Sequence, residues 1–525
     1  MSTATLAFVL LWLPAAADGQ PAPTAFATGG EFTASQNGSG LLGRNAVGES
    51  ADGSFVVVWQ TSNNAGDVDT GIAARRFDTS SQPVGAEFIV NSDTEQGQYL
   101  PDITVAPGGE FIVSWNDVAS SPKAQRFASD GSRVGGELMI ASGFGGYGQV
   151  RHADPGDGSF VLVWTPSSSP VADSSPVLGR RFDSGGVAVG AVTQVNGGTA
   201  GIQRNADVAP LPSGEFLVSW MNLGAPAEEI TSRRLSSAGA PLGADLQVSQ
   251  SSTATQRDPS VATAPSGEAV IAWTDDDSRI LARRLSNTGG PLGDAFEVYS
   301  GTISSSSPQV GTFLDGGFVV VWTDGDGPTP DESLGIVGRV FDRLGNGGPP
   351  FAVNVQTSSI QRFPNVVTDA QGGFRVVWDD NGQRIAGRSF VSATPLMTRQ
   401  AVEGRTFSRS VGEHWVYYTF EVPAGAPLLD AQLVDLPSAF PDDADLYLKL
   451  SAPPTETDND CSSTAAGNAS ERCTVASPTA GTWWIGVRGW STGAVDFKVF
   501  ADLPDPIFSD GFESGNTSAW TATIP

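Results

Sequence analysis

One eight-residue pattern of hydrophobic and polar positions recurs along most of the chain. A glycine and a variable residue come first, four mainly apolar residues follow, and a tryptophan and one further residue end each copy. This pattern predicts a β-strand with positions three, five and seven on one face. The seven copies are GSFVVVWQ (53–60), GEFIVSWN (109–116), GSFVLVWT (158–165), GEFLVSWM (214–221), GEAVIAWT (267–274), GGFVVVWT (316–323) and GGFRVVWD (372–379).

The residues between those positions are mostly apolar as well, so we expect both faces of each strand to be buried. Continuous apolar strands are typical of parallel sheets covered by helices. Here the segments between the copies are rich in turn residues and show no helical period. Each sheet must therefore be covered by another sheet and not by helices.

The spacing of the copies suggests how the sheets are arranged. Successive tryptophans are 56, 49, 56, 53, 49 and 56 residues apart, a period that suits one four-stranded blade per copy. The sequence therefore predicts an all-β chain with a seven-bladed β-propeller over residues 24–393. The repeated tryptophans are Trp59, Trp115, Trp164, Trp220, Trp273, Trp322 and Trp378.

The seventh copy lacks one strand of its blade. An inner strand precedes each tryptophan strand and two more follow it, but after IAGRSF (385–390) no fourth strand is recognisable. GGEFTAS (29–35) matches the fourth-strand pattern of AEFIVNS (86–92). We predict that residues 29–35 close the ring by pairing with the seventh blade, which removes an exposed sheet edge.

An arginine recurs in the third strand, two residues before its Phe or Leu. A residue at equivalent positions around the ring indicates a scaffold role, by stacking on a Trp or pairing with a turn carboxylate, because a single active site needs residues that break the symmetry. The members are Arg75, Arg180, Arg233, Arg283, Arg339 and Arg388, with Gln125 in the second copy.

Different motifs follow residue 393. They are HWVYYTFEVPAG (414–425), DDADLYLKLSAPPT (442–455), the pair Cys461 and Cys473, and PTAGTWWIGVRGWSTGAVDFKVF (478–500). Residues 399–503 thereby resemble the bacterial pre-peptidase C-terminal domain. The resemblance implies a small jelly-roll-like β-sandwich appended to a secreted protein, often a peptidase. Some members of that family are linked to insoluble polymers or to calcium.

Two features of this C-terminal module bear on chemistry. Asp442, Asp443 and Asp445 are candidate calcium ligands, since hard cations take clustered carboxylates, and solvated turn acids are the alternative. Cys461 and Cys473 are the only cysteines and lie twelve positions apart, so in an exported chain we expect them to form a disulfide.

Charge and the N-terminal segment suggest where the protein works. With 57 acidic and 29 basic residues the net charge is −28, which repels nucleic acid and anionic membranes. Residues 1–17 are an expected signal peptide, because TLAFVLLWLPAAAD (5–18) joins an apolar run to a small-residue cleavage site, although no Lys or Arg precedes the run. A buried strand is the alternative. We expect a monomer without a membrane anchor, secreted or at the cell surface, with residues 504–525 as a sorting signal or an acidic tail.

No catalytic motif is recognisable. The sequence has no HExxH, and its two histidines are His152 and His414. A Ser-His-Asp triad would have to use His152, but a lone histidine at a strand end is ordinarily structural. Glycoside hydrolysis needs two carboxylates, and acidic segments that follow the tryptophan strands are candidates for it or for calcium, with solvated turns as the default. They are GDVD (66–69), TDDDS (274–278) and TDGDGPTPDES (323–333).

The leading hypothesis from the sequence is a non-enzymatic extracellular binding or adhesion protein. Its propeller would present loops to a polysaccharide, a protein polymer or a cell-surface component, and the sandwich would add a second contact. A secreted hydrolase acting on glycans and a structural envelope component are the alternatives. Because what repeats seven times is scaffold, the function must lie in the residues that differ between blades or in the appended module.

Overall fold

Every regular element in the described part of the chain is a β-strand. The computed structural model describes residues 21–36, 43–62, 70–94, 97–117, 122–141, 148–166, 175–198, 201–224, 228–250, 255–276, 278–301, 305–325, 334–357, 359–369, 372–406, 414–436, 443–465, 470–490 and 495–503. The proposed signal peptide and the C-terminal tail lie outside these residues.

Two short strands, β1 (Thr24–Ala27) and β2 (Phe32–Thr33), precede the blades. The first blade is β3 (Gly43–Glu49), β4 (Phe55–Ser62), β5 (Thr70–Phe77) and β6 (Phe88–Ile89). The second is β7 (Gln98–Val105), β8 (Phe111–Asp117), β9 (Pro122–Phe127) and β10 (Arg133–Met139). The third is β11 (Val150–Ala153), β12 (Phe160–Trp164), β13 (Leu178–Phe182) and β14 (Ala188–Gln194).

The remaining blades repeat this arrangement. The fourth is β15 (Ile202–Pro210), β16 (Phe216–Leu223), β17 (Glu228–Leu235) and β18 (Pro241–Gln247). The fifth is β19 (Gln256–Thr263), β20 (Ala269–Asp275), β21 (Arg279–Leu285) and β22 (Phe296–Ser300). The sixth is β23 (Ser305–Thr312), β24 (Phe318–Asp324), β25 (Gly335–Phe341) and β26 (Phe351–Ala352), and the seventh contains β27 (Gln361–Thr368), β28 (Gly373–Asp380) and β29 (Arg384–Pro395).

Each blade is an antiparallel sheet whose strands pair in chain order. The alternation read from the sequence sets the packing. In β4, Phe55, Val57 and Trp59 pack against Val377 and Ile385 of the seventh blade. The residues between them, Val56 and Val58, pack against the second blade. One apolar cluster fills each of the seven interfaces between neighbouring blades, so the ring is closed and the predicted seven-bladed propeller is confirmed.

The N-terminal segment supplies the fourth strand of the seventh blade. In β2, Phe32 pairs with Gly387 and Thr33 with Ala386 of β29, and the Ala34 amide donates to the Ile385 carbonyl at 2.7 Å. The predicted closure by residues 29–35 is therefore confirmed. The structure adds β1, which pairs with β29 farther along, Thr24 opposite Ala393.

The recurrent arginines join neighbouring blades. Each Nη1 atom donates to a backbone carbonyl at the end of the fourth strand of the preceding blade, and none of these arginines stacks on a Trp ring as the sequence predicts. Arg233 also pairs with a carboxylate, that of Asp245 in β18, at 3.3 Å. A carbonyl is present whatever the local sequence, so the contact can repeat. The pairs are Arg75 with Ala34 (3.2 Å), Arg180 with Ile140 (2.7 Å), Arg233 with Val195 (2.9 Å), Arg283 with Val248 (2.8 Å), Arg339 with Val298 (2.7 Å) and Arg388 with Val353 (3.2 Å).

Contacts divide the described residues into two units. Pro23–Ala393 and Thr406–Val416 form one, and Thr394–Arg405 with the residues from Tyr417 onward form the other. No helix among the described residues is long and apolar enough to cross a membrane.

The C-terminal module is a two-sheet sandwich. Its strands are β30 (Val402–Thr406), β31 (Trp415–Val422), β32 (Leu428–Asp435), β33 (Ala444–Leu450), β34 (Cys461–Ser463), β35 (Glu471–Ala476), β36 (Gly481–Gly489) and β37 (Val495–Asp502). One sheet has the order β31-β36-β33-β34 and the other β30-β37-β32-β35. The disulfide between Cys461 and Cys473 joins β34 of one sheet to β35 of the other.

Candidate binding site at the propeller axis

The inner strands are irregular near their first residues. In five blades the pairing with the second strand shifts by one residue, and the bulge holds a non-glycine residue in the left-handed region, with φ between 51° and 57°. Such a conformation is uncommon and persists only where the surrounding structure holds it. These residues are Leu100, Asn205, Asp258, Ser307 and Phe363. The first blade has its bulge at Arg44, between Gly43 and Asn45.

The bulges turn different side chains toward one small cavity of about 50 Å³, to which all seven blades contribute. Arg44, Asn205, Asp258, Ser307 and Phe363 line it. The bulges lie at the end of the blades where the second strands finish, since Arg362 pairs with Asp379 at the end of β28. Equivalent positions of a symmetric ring thus carry an arginine, an amide, a carboxylate, a hydroxyl and an aromatic ring. This is the symmetry-breaking set that a specific binding site needs.

A ring of inner-strand side chains holds this end of the propeller together. Asp102 Oδ2 accepts from the His152 amide at 3.0 Å, from the second blade to the third. The same contact recurs at three other interfaces, where a side-chain oxygen accepts the amide of the next blade. The pairs are Asp207 with Val261 (2.8 Å), Ser260 with Val310 (3.2 Å) and Asn365 with Val47 (3.3 Å). The geometry of this end of the propeller, which we call the mouth, is therefore fixed by side chains that are not the same in every blade.

Arg151 links three blades at the axis. It lies 3.1 Å from Asp102 Oδ1 and 3.7 Å from Asp207 Oδ1. Burial of the Asp102 carboxylate favours its protonated form, but the charge of Arg151 and the contacts of His152 outweigh it and lower the pKa to about 2. At Asp207 burial dominates over Arg151 and raises the pKa. Arg151 is thus neutralised within the scaffold.

Arg44 and Arg362 lie against one aromatic ring at the mouth. The guanidinium carbon of Arg44 is 3.8 Å from the centroid of the Phe363 ring, and that of Arg362 is 5.3 Å from it. Arg362 pairs with Asp379 at 3.0 Å. Burial and the nearby positive charges of Arg151 and Arg362 lower the pKa of Arg44. The backbone of Phe363 is held from the side, because its carbonyl accepts from Asn45 Nδ2 at 3.0 Å.

The structure brings a serine and an aspartate to His152, yet not as a catalytic triad. Ser114 Oγ lies 3.1 Å and Asp102 Oδ2 3.2 Å from the same ring nitrogen, Nδ1. A triad places its serine and its carboxylate on opposite nitrogens of the imidazole. The side chains of Ser114 and His152 are also 0% exposed. The cluster has no path to a substrate, as expected for a structural histidine.

Some of the acidic segments after the tryptophan strands lie outside the described residues, and others are described. GDVD (66–69) and most of TDGDGPTPDES (323–333) lie outside the described residues. The carboxylates two residues after the Trp are buried, in contrast to the solvated turns that the sequence predicts. Ser305 donates to Asp324 at 2.8 Å, Gln361 donates to Asp380 at 3.2 Å, and Asp275 accepts from Gln256. These buried acids therefore tie the start of an inner strand to the end of its neighbour.

The candidate calcium ligands are only partly visible. Asp442 lies outside the described residues. Asp445 is buried and accepts from the Tyr447 hydroxyl at 3.2 Å, and burial, with the nearby charge of Asp443, raises its pKa to about 6. Among the described residues no group of three His, Cys, Asp or Glu is arranged to hold a metal. Calcium binding stays a prediction.

His414, the second histidine, is buried near Thr406. The Thr406 hydroxyl lies 2.8 Å from its Nδ1 atom, and burial lowers its pKa to about 3. It is therefore neutral and sequestered rather than placed for proton transfer.

The strands of the sandwich contain the motifs that resembled a known family. The family model of the bacterial pre-peptidase C-terminal domain matches residues 416–489. The C-terminal module is a bacterial pre-peptidase C-terminal domain. The match confirms the resemblance, over a shorter span than residues 399–503, and the pre-peptidase C-terminal domain here follows a propeller of seven repeats.

Comparisons of the whole chain give fold relatives only. No curated protein matches it in sequence. A protein of unknown function from Dyadobacter fermentans is similar at 12% identity and a TM-score of 0.43, with 70% of this chain and 99% of that chain covered. The α-L-arabinofuranosidase of Fusarium graminearum with an iminosugar inhibitor is similar at 13% identity and 0.43, covering 60% and 98%. A polysaccharide lyase, an ulvan lyase, is similar at 10% identity and 0.44, covering 68% and 95%.

The residues at the mouth were missed by the sequence reasoning, although a signal existed. In four inner strands the bulge residue comes directly before a proline, in the pairs Leu100-Pro101, Asp258-Pro259, Ser307-Pro308 and Phe363-Pro364. A proline cannot donate to the sheet ladder, and it is accepted at strand starts and bulges. Each X-Pro pair at the start of an inner strand therefore marks a place where at least one of the two residues lines the cavity.

Proposed function

We propose that this is a secreted, non-enzymatic binding protein whose propeller engages an extracellular polymer at the axial mouth. The pre-peptidase C-terminal domain adds a second contact, which raises the overall affinity if one polymer chain spans both. The observation that carries the proposal is the axial cavity. Seven blades with a common scaffold direct unlike side chains into it, from positions that are otherwise equivalent.

The size of the cavity favours binding of one chemical group. A water needs roughly 10–15 Å³ of such space, so about 50 Å³ takes a few waters or one substituent. A sugar ring or a side chain of a polymer would lie across the mouth. The segments that join second to third strands start from this same end.

The carboxylates at the mouth favour binding over hydrolysis. Hydrolysis of a glycoside by an acid pair needs two carboxyl groups about 5 to 9.5 Å apart across the scissile bond. Among the described residues that line the cavity, Asp258 is the single carboxylic acid. Asp102, Asp207 and Asp379 nearby are occupied by Arg151 or Arg362.

The experiment is a binding screen of the full chain against soluble polysaccharides, collagen and isolated cell walls, with reducing ends and unsaturated products assayed in parallel. We expect saturable binding without product release. Gln149 lines the cavity, and Gln149→Trp should fill the mouth and weaken binding at least tenfold. Gln82→Trp, in an exposed turn of the first blade, is the matched control.

Three outcomes contradict the proposal. Absence of binding to every polymer points to a structural envelope component. Product release points to the secreted hydrolase. Equal binding by the wild type and Gln149→Trp moves the site away from the axis. A parallel arm with a calcium chelator tests the predicted ligands Asp442, Asp443 and Asp445.

A further inference from the structure

Arg44 differs in its surroundings from Arg151 and Arg362, two other arginines at the propeller mouth. Arg151 pairs with Asp102 and Asp207, and Arg362 pairs with Asp379. Among the described residues, no carboxylate lies within ion-pair distance of the Arg44 guanidinium, and no hydrogen bond to it is present. The charges of Asp258 and Asp379 favour the cation from a distance, but burial and the other arginines outweigh them. A largely buried cation with no direct ion pair is costly, so it marks a place where an external anion would stabilise the folded protein.

The geometry leaves the donors of Arg44 available. Phe363 covers one flat face of the guanidinium, with its centroid 3.8 Å from the central carbon. The N–H groups lie in the guanidinium plane, so a ring stacked on the face does not occupy them. Stacking also fixes the orientation of the plane, which reduces the entropy that is lost when a ligand binds.

The rest of the cavity fits the surroundings of a carboxylate on a sugar. Asp258 accepts from Asn205 Nδ2 at 2.7 Å and presents its carboxylate to the same cavity, where it can accept a hydroxyl proton. Three prolines, Pro101, Pro259 and Pro364, supply apolar lining. Most of the other lining side chains, such as Gln149, Ser307 and Gln309, are polar, which suits the hydroxyl groups of a sugar.

We propose that Arg44 binds the carboxylate of a uronic acid residue in a polysaccharide, with the sugar ring lying across the mouth toward Asp258. This rests on the proposed function and names its ligand class. Arg is suited to the task because its planar fork donates two parallel hydrogen bonds to a carboxylate. The cavity of about 50 Å³ admits that group while excluding the ring.

The proposed site at Arg44 attracts an anion, although the protein as a whole is strongly negative. The chain carries a net charge of −28, so long-range forces repel a polyanion. Added salt screens that repulsion over about 8 to 10 Å, whereas a contact inside a cavity is screened less. We therefore expect affinity for a polyuronate to rise or stay constant as salt increases from 20 to about 150 mM, unlike binding to a basic surface.

The test compares a polygalacturonate with the same polymer after reduction of its carboxylates to primary alcohols, both titrated into the full chain by calorimetry. We expect the wild type to bind the acidic polymer about 10- to 100-fold more tightly than the reduced one. Arg44→Gln should remove this preference. Arg204→Gln, which removes the same charge from an exposed position at the equivalent end of β15, should keep it.

A second variant keeps the test valid if the first variant does not fold. If Arg44→Gln fails to fold, Arg44→Lys retains the charge but loses the fork, and the preference should fall by at least about fivefold. An unchanged preference in either folded variant overturns the assignment of Arg44. Tighter, Arg44-dependent binding of a sulfated neutral glycan or of polyglutamate overturns the uronate as its ligand.

Failure of this inference can be told from failure of the proposed function. Equal binding of the acidic and the reduced polymer, sensitive to Gln149→Trp, keeps the axial binding site and overturns only the uronate. Loss of all polymer binding overturns both.

Discussion

Arg133 Nη2 lies 3.0 Å from the carbonyl oxygen of Val90. Val90 directly follows the fourth strand of the first blade, and in the six other blades the equivalent carbonyl accepts from the recurrent arginine of the next third strand. The second blade has Gln125 at that position, and its amide instead donates to backbone carbonyls of its own blade. Arg133, from β10, thus supplies the missing contact from a different strand.

Because Arg133 takes the place of an arginine at position 125, an arginine introduced there should compensate for the loss of Arg133. Arg133→Met should lower the free energy of unfolding by roughly 1.5–3 kcal/mol, because the Val90 carbonyl loses a charged donor. Adding Gln125→Arg should restore most of that loss, since arginine at this position reaches the carbonyl in the other blades. Urea unfolding followed by tryptophan fluorescence measures both. If Gln125→Arg brings no recovery, the two side chains are not interchangeable.

Ring closure depends on Phe32. Its ring centroid lies 5.6 Å from Phe55 and 5.3 Å from Phe77, so it bridges the seventh and first blades. Phe32→Ala should cost about 3–5 kcal/mol, and deletion of residues 29–35 should lower the melting temperature further. Hydrogen exchange should then accelerate in β4 and β29.

Phe351→Ala is the control for this closure. Phe351 makes similar ring contacts in the sixth blade, whose four strands are contiguous in the chain. Its exchange increase should stay in the sixth and seventh blades. A deletion of residues 29–35 with an unchanged melting temperature would refute the closure.

Asp102 should contribute to acid stability. Its pKa is lowered from 3.8 to about 2, so the carboxylate stabilises the fold above pH 3.8 and loses this effect as the pH falls through 2. The contribution is roughly 2 kcal/mol. Asp102→Asn should be less stable at pH 7 and should lose less stability between pH 4 and 2 than the wild type. Asp294→Asn, at an exposed position, serves as control, and an identical slope for Asp102→Asn and the wild type contradicts the assignment.

The disulfide should stabilise the pre-peptidase C-terminal domain. Cys461 and Cys473 enclose a short loop and join the two sheets. In the chain-entropy model a loop of this length contributes about 3 kcal/mol. The double variant Cys461→Ser, Cys473→Ser should unfold at lower urea concentration, and reduction of the wild type should give the same shift. A reductant that leaves the midpoint unchanged would show that the bond is absent in solution.

The local sequence pattern was sufficient to predict the blades. The alternation within copies such as GSFVVVWQ, the spacing of the tryptophans and the displaced fourth strand at residues 29–35 are properties of near neighbours or of a repeat. Hydrophobic burial acts on such patterns directly, because each side chain must face water or another sheet. The pre-peptidase C-terminal domain was likewise recognisable from motifs in sequence order.

Which residues meet at the mouth could be seen only in the tertiary structure. Arg44 and Phe363 are 319 positions apart in the chain, and only closure of the ring stacks them. The left-handed backbone at Phe363 is imposed by contacts from other blades, such as the amide of Asn45 on its carbonyl. Arg133 and Val90 likewise meet only because neighbouring blades pack together. A chain pattern records which face of a strand is buried, whereas partners across blades follow from the closed geometry, and no local periodicity encodes them.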